Sequence, residues 1–253
     1  TRNNFFSILY IQYRKEVIPC MKKRITAVTA VTAVTAVLSV MPLGQSLVIG
    51  TGVFLTSTGV ILSLPKKVNA NDIDYFLGKL EEIYNQEGEE YQTIFYANEI
   101  LKINQNNVDA YWYRAYAKVE IGQYESAIND YSKSIELGDN DSMTFNNRGF
   151  AKASLEDYYG AISDYNKAIK MDQENSLAYY NRGFAKRLLE DYYGAIFDFS
   201  TIIVIDPRDE NAYYNRGLLK EKISDMSGAC ADWRKAVSLG STDAVEWVRN
   251  QCQ

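Results

Sequence analysis

The sequence predicts an all-α solenoid, a row of helix pairs stacked side by side behind a hydrophobic N-terminal leader. The first observation is a repeated peptide: "NRGFAK" stands at Asn147 to Lys152 and again at Asn181 to Lys186, 34 residues later. The second is that whole columns share this period. One column reads Tyr111, Phe145, Tyr179, Tyr213; another reads Ala127, Ala161, Ala195, Ala229; a third reads Tyr131, Tyr165, Phe199, Trp233. The third is the spacing inside a unit, where Tyr111, Ala115, Tyr116, Val119 and then Tyr124, Ala127, Ile128, Tyr131, Ile135 follow helical periodicity twice. Such a unit cannot bury its apolar face alone, so its neighbours must cover it.

The leader comes first in chain order. Residues 1–70 hold eight Lys/Arg against the single Glu16, while 71–253 hold 19 against 31 acidic residues, so the two parts carry +7 and -12. Between Arg24 and Lys66 lie 41 residues without a formal charge, opening with "TAVTAVTAVTAV". Met21-Lys22-Lys23-Arg24 has the form of a signal-peptide start, and Val68-Asn69-Ala70 is a small-x-small site that a signal peptidase could cut. Residues 1–20 then read as an upstream extension, and 21–70 as a signal peptide or membrane anchor. The run is longer than an ordinary signal core and could instead hold two spans, Ile25 to Met41 and Leu47 to Leu64, parted by Pro42 and Gly44. A β-hairpin or buried helix is a third reading, one for which the body supplies no evident surface to cover.

The body follows. Units are expected at 108–141, 142–175, 176–209 and 210–243, each with two helices and a tight turn. Gly122 supplies a positive-φ position in one such turn, and Asp206-Pro207 stops a second helix because proline has no amide donor. Gly or Ala at 115, 149, 183 and 217 faces Ala127, Ala161, Ala195 and Ala229, which lets the paired helices approach closely. A degenerate unit is expected at 71–107, where "YANEILKINQNN" mirrors "YSKSIELGDNDS" although Ala97 replaces the aromatic and Glu81 the glycine. An amphipathic helix at 244–253 is expected to cap the last unit.

With these columns the body resembles the tetratricopeptide repeat family, whose W-x2-L-G-x2-Y…A-x3-F…P pattern is met by "YYNRGFAK…GAIFDFSTIIVIDP". The resemblance implies a right-handed α-solenoid whose first helices line a concave groove for peptides or partner proteins. The matching groove positions are Trp112, Tyr116, Asn146, Phe150, Tyr180, Phe184, Tyr214 and Leu218, with Asn147, Asn181 and Asn215 nearby as hydrogen-bond donors. The family's basic carboxylate clamp is matched only by Arg187. This chain also departs from the pattern: arginine stands at 114, 148, 182 and 216 where the family has leucine, and lysine at 118, 152, 186 and 220 where it has tyrosine. Sixteen residues after every arginine comes an aspartate, Asp130, Asp164, Asp198 and Asp232, which predicts four structural ion pairs that fix helix register.

Composition narrows the chemistry. The chain has no histidine, and so lacks the commonest general base and metal ligand. An acidic body repels phosphate backbones, which disfavours nucleic acid as a partner. Of the three cysteines, Cys20 lies in the leader. Cys230 stands in a column otherwise held by isoleucine, so it is either a small core filler or the disulfide partner of Cys252, a bond that would persist only after export. The expectation is a scaffold without catalysis, cofactor or metal, exported to the periplasm or another extracytoplasmic compartment or anchored in the membrane through residues 25–64. The alternatives are a membrane-tethered cytoplasmic adaptor and an enzyme of unknown type.

Overall fold

The computed structural model describes residues 70–252 apart from 85 and 87, together with the backbone of three short strands between 47 and 62. The strands are β1 (Leu47–Ile49), β2 (Val53–Thr56) and β3 (Gly59–Leu62), and they pair antiparallel in the order β1-β2-β3. Ile49 faces Val53 and Thr56 faces Gly59, a register that needs only short connections. These strands lie within Leu47 to Leu64, the segment expected as the second of two spans. Its β-branched runs are interrupted by Gly50-Thr51-Gly52 and Ser57-Thr58-Gly59, a pattern that suits hairpins better than a continuous helix. The span at Ile25 to Met41, the extension at 1–20 with Cys20, and all but the last residue of the cleavage site lie outside the described residues. Among the described residues no helix is long and apolar enough to cross a membrane.

The described body is helical throughout. The elements are α1 (Ala70–Ile83), α2 (Glu90–Ile103), α3 (Val108–Glu120), α4 (Tyr124–Glu136), α5 (Ser142–Ser154), α6 (Tyr158–Met171), α7 (Ser176–Leu188), α8 (Tyr192–Ile205), α9 (Glu210–Lys222), α10 (Met226–Leu239) and α11 (Asp243–Gln251). Each helix packs chiefly on those before and after it in sequence, and α3 with α5 and α5 with α7 also touch. The pairs α3/α4, α5/α6, α7/α8 and α9/α10 are therefore units of one solenoid. The first helix of each is called inner below, and the second outer.

Local chemistry starts and stops these helices. Asn107, Asn175 and Asp209 cap inner helices by accepting from the amides of Ala110, Ala178 and Ala212. Asp157, Asp191 and Asp225 cap outer helices through the amides of Gly160, Gly194 and Gly228. A cap of this kind stabilises by about 1 kcal/mol. The turn between paired helices needs a left-handed residue. Gly88 and Gly122 supply it with φ of 90° and 76°, and Glu156, Glu190 and Ser224 adopt it in the same column at 64°, 61° and 63°.

The core lies where small and large columns meet. Ala127, Ala161, Ala195 and Ala229 are fully buried, as are Tyr131, Phe199 and Trp233, and Tyr165 nearly so. Burial of each large ring contributes about 2–3 kcal/mol. The approach is closest at the glycines. A Cβ on Gly149 would stand 2.7 Å from the Tyr165 ring, and one on Gly217 would stand 2.4 Å from Trp233 Nε1.

Candidate functional site

The repeated arginines build a ladder of clamps along the array. Arg114 donates from Nε and Nη2 to the two carboxylate oxygens of Asp130 at 2.8 and 2.6 Å. Arg148 does the same to Asp164 at 2.9 and 2.7 Å, Arg182 to Asp198 at 3.0 and 2.5 Å, and Arg216 to Asp232 at 2.8 and 2.6 Å. Each contact is bidentate and joins an inner helix to its own outer helix, a geometry that lysine could not reproduce. The aspartates are buried, so an unpaired charge there would be costly.

Two further components were not expected from the sequence. Lys118, Lys152, Lys186 and Lys220, which depart from the family pattern, each reach the same aspartate as the arginine one turn earlier, at 2.7, 2.7, 2.9 and 2.8 Å. The second component is a link to the preceding unit. The remaining Nη1 of each arginine donates backward to Asn98, Ser132, Asn166 and Ser200 at 2.6, 3.0, 2.6 and 3.1 Å. Each guanidinium also lies over the aromatic ring three residues before it, with centroid distances of 5.3, 5.7, 5.2 and 5.5 Å for Tyr111, Phe145, Tyr179 and Tyr213. The signals were present in the sequence, since lysine holds an i+4 position in every unit and the column 98, 132, 166, 200 alternates Asn and Ser.

The inner-helix face differs from an open aromatic lining. Trp112, Tyr116, Asn146, Phe150, Tyr180 and Phe184 are each 5% exposed or less. Their rings pack on one another and on the outer helices: Trp112 stacks on Tyr116 at 5.7 Å, and Tyr180 and Phe184 each meet the edge of Phe199 at 5.4 Å. Large apolar area explains this, because rings one turn apart gain more by covering each other than by facing water. Arg187, Tyr214 and Leu218 are half-buried. Arg187 lies 5.3 Å over the Phe184 ring, where burial lowers its pKa from the ordinary guanidinium value while Tyr214 and Tyr192 oppose that effect.

A polar seam runs beside these rings. Asn181 donates from Nδ2 to Asn146 Oδ1 at 2.9 Å, and Tyr180 donates its hydroxyl to Asp209 at 2.6 Å. Burial raises the Asp209 pKa, with the Tyr180 hydroxyl and the amide of Ala212 acting in the opposite sense. Asn147 Nδ2 and Asn181 Oδ1 are buried without a hydrogen-bond partner. Asn215 donates to the carbonyl of Asn211 at 2.8 Å. An open cleft beside the first clamp is lined by Phe95, Asn98, Lys102, Gln105 and Arg114, whose guanidinium is already committed to Asn98 and Asp130.

The C-terminal end is stapled. Cys230 and Cys252 form a disulfide with Cα atoms 5.5 Å apart, holding α11 against α10. Trp233 and Trp247 pack at 5.0 Å, and Arg234 donates to the Cys252 carbonyl at 2.7 Å. Among the described residues no cluster of His, Cys, Asp or Glu could hold a metal ion.

Stacked helix pairs joined by a recurring clamp define an α-solenoid repeat protein. Residues 108–140 and 144–175 match the tetratricopeptide repeat family, so this part of the chain is built of tetratricopeptide repeats. Its fold is similar to a crystal structure of MamA, with a TM-score of 0.63 and 21% identity over 68% of this chain and 93% of that one. A MamA structure from Desulfovibrio magneticus RS-1 gives 0.63 at 17% identity, over 68% of this chain and 97% of that one. YrrB, described as a TPR protein with an unusual peptide-binding site, gives 0.62 at 16% identity over 71% and 91%. These identities establish a shared fold. No curated protein matches the sequence.

Proposed function

We propose that the chain is a non-catalytic scaffold in the cell envelope that holds a protein or peptide partner on its inner-helix face. The observation that carries this reading is the end of that face formed by α7 and α9. There Arg187, Tyr214 and Leu218 are only half-buried, so a cation, an amphipathic ring and an aliphatic side chain lie within reach of a partner. That combination suits an extended or helical peptide, anchored by an apolar side chain and oriented by a carboxylate. The description of YrrB as having a peptide-binding site supports the same direction. For location, the Cys230–Cys252 disulfide supports export, because such bonds persist in oxidising compartments.

The test is a crosslinking pulldown with the full chain, comparing wild type with Tyr214→Ala plus Leu218→Ala. Partner recovery is expected to fall at least about tenfold, as for loss of a small anchoring cluster. Equal recovery from both proteins would remove this face as the binding site.

A further inference from the structure

The outer helices α6, α8 and α10 present a second surface whose charge runs against that of the body. Within residues 158–171, 192–205 and 226–239 the only acidic side chains are Asp164, Asp198 and Asp232. All three are buried in the clamps, at 1%, 0% and 4% exposure. The cations of these helices are exposed: Lys170 and Lys167 on α6, the latter over the edge of its unit at the Phe145 ring, and on α10 Lys235, which lies over the Tyr213 ring, and Arg234, which also donates to the Cys252 carbonyl. A body of net charge -12 therefore turns a face toward solvent on which no carboxylate is exposed along three helices. Acidic groups border it only at the helix ends, with Asp157, Asp191 and Asp225 at the N-caps and Asp172 and Asp206 at the C-caps. The outer helix α4 differs, since its Glu125 and Glu136 are exposed.

Between the cations stands an apolar ridge. Phe197 is 64% and Val204 80% exposed on α8, with Tyr193 at 72% on the same helix and Tyr159 at 76% on α6. The clamps fix the order of these rows. Arg182 binds Asn166 of α6 and Asp198 of α8, while Arg216 binds Ser200 of α8 and Asp232 of α10. Lys167 and Lys235 hold equivalent positions in units on either side of α8, 34 residues before and after Thr201. Phe197 and Val204 stand about one helical turn on each side of that threonine.

We infer that this face docks on an anionic lipid bilayer, with Phe197 and Val204 entering the interface and the flanking lysines and arginine meeting headgroup phosphates. Charge complementarity selects an acidic partner, and shape selects a lipid one. Isolated side chains that protrude from a ridge find contacts in a soft interface, whereas a helical peptide needs a groove with walls. The exposed rings of Tyr159 and Tyr193, at the starts of α6 and α8, suit the headgroup level. The inference concerns helices other than those of the inner face, and either site can fail without the other.

The experiment is acetylation footprinting of lysines in the full chain, read by mass spectrometry, with phosphatidylcholine–phosphatidylglycerol vesicles and with pure phosphatidylcholine vesicles. Lys167, Lys170 and Lys235 are expected to be protected on the mixed vesicles only, while Lys133 of α4 stays reactive. In the Phe197→Ser plus Val204→Ser variant, whose changes lie at exposed positions, the protection is expected to fall at least roughly tenfold, as loss of buried apolar area implies. Unchanged reactivity of the three lysines overturns the inference. So does equal protection of Lys133, the outcome of tethering by the leader alone. Protection by an acidic amphipathic peptide but not by vesicles overturns it in favour of a protein partner.

Discussion

At the scale of the residue, Asp164 shows how much one side chain carries. It receives two hydrogen bonds from Arg148 and one from Lys152, and only 1% of its surface is exposed. Asp164→Ala strands two cations in a half-buried space, so the expected loss is about 3–5 kcal/mol in urea unfolding. Removing Glu136, which meets Lys133 at 3.1 Å in the open, is expected to cost about 0–1 kcal/mol. A loss for Asp164→Ala as small as that for Glu136→Ala would show the clamp to be ornamental. The arginine and aspartate were legible in the sequence because their spacing is constant in every unit. The lysine was not, since an i+4 lysine reads equally well as a solvated charge until the position of the outer helix is known.

At the scale of the element, close packing and turn geometry set limits that the same period hides. Gly183 and Gly217 occupy one column, yet a Cβ would lie 3.1 Å from the Phe199 ring at the first and 2.4 Å from Trp233 at the second. Alanine improves helix propensity by about 1 kcal/mol, and overpacking costs about 1–3 kcal/mol. Gly183→Ala is therefore expected to be near neutral and Gly217→Ala to lower stability, with thermal melts of the two variants as the measurement. Equal melting temperatures would refute the steric account. The left-handed turn was legible at Gly122 alone. Glu156, Glu190 and Ser224 take the same conformation because the helices on either side hold the ends, a tertiary constraint that overrides local preference.

At the scale of the whole molecule, stability depends on how the ends are covered. The disulfide fastens α11 over the apolar surface of the α9/α10 unit, where Ala244, Trp247 and Val248 cover Ala229, Trp233 and Ala236. Reduction, or Cys252→Ser, is expected to speed amide exchange at least about tenfold across Asp243–Gln251 while leaving Val108–Met171 unchanged, because opening is local in such arrays. Uniform acceleration along the chain would contradict this. The array was legible because period, columns and spacing agree. The inner face was less so: a ring at a groove position and a ring packed beneath its neighbours occupy the same column, and only burial separates them.

The backward reach of the arginines also gives the molecule a polarity that its repeated sequence does not announce. Every guanidinium seeks an acceptor in the unit before it, so a fragment beginning at Val108 would leave Arg114 Nη1 without Asn98, while one beginning at Glu90 would keep that bond. Lengthening the array at its C-terminal side would set a new arginine against Arg234, which follows Ser200 in the acceptor column and would have to become Asn or Ser. At the other side Leu80 stands where the clamp arginine would be, so a unit added there meets no guanidinium that needs an acceptor.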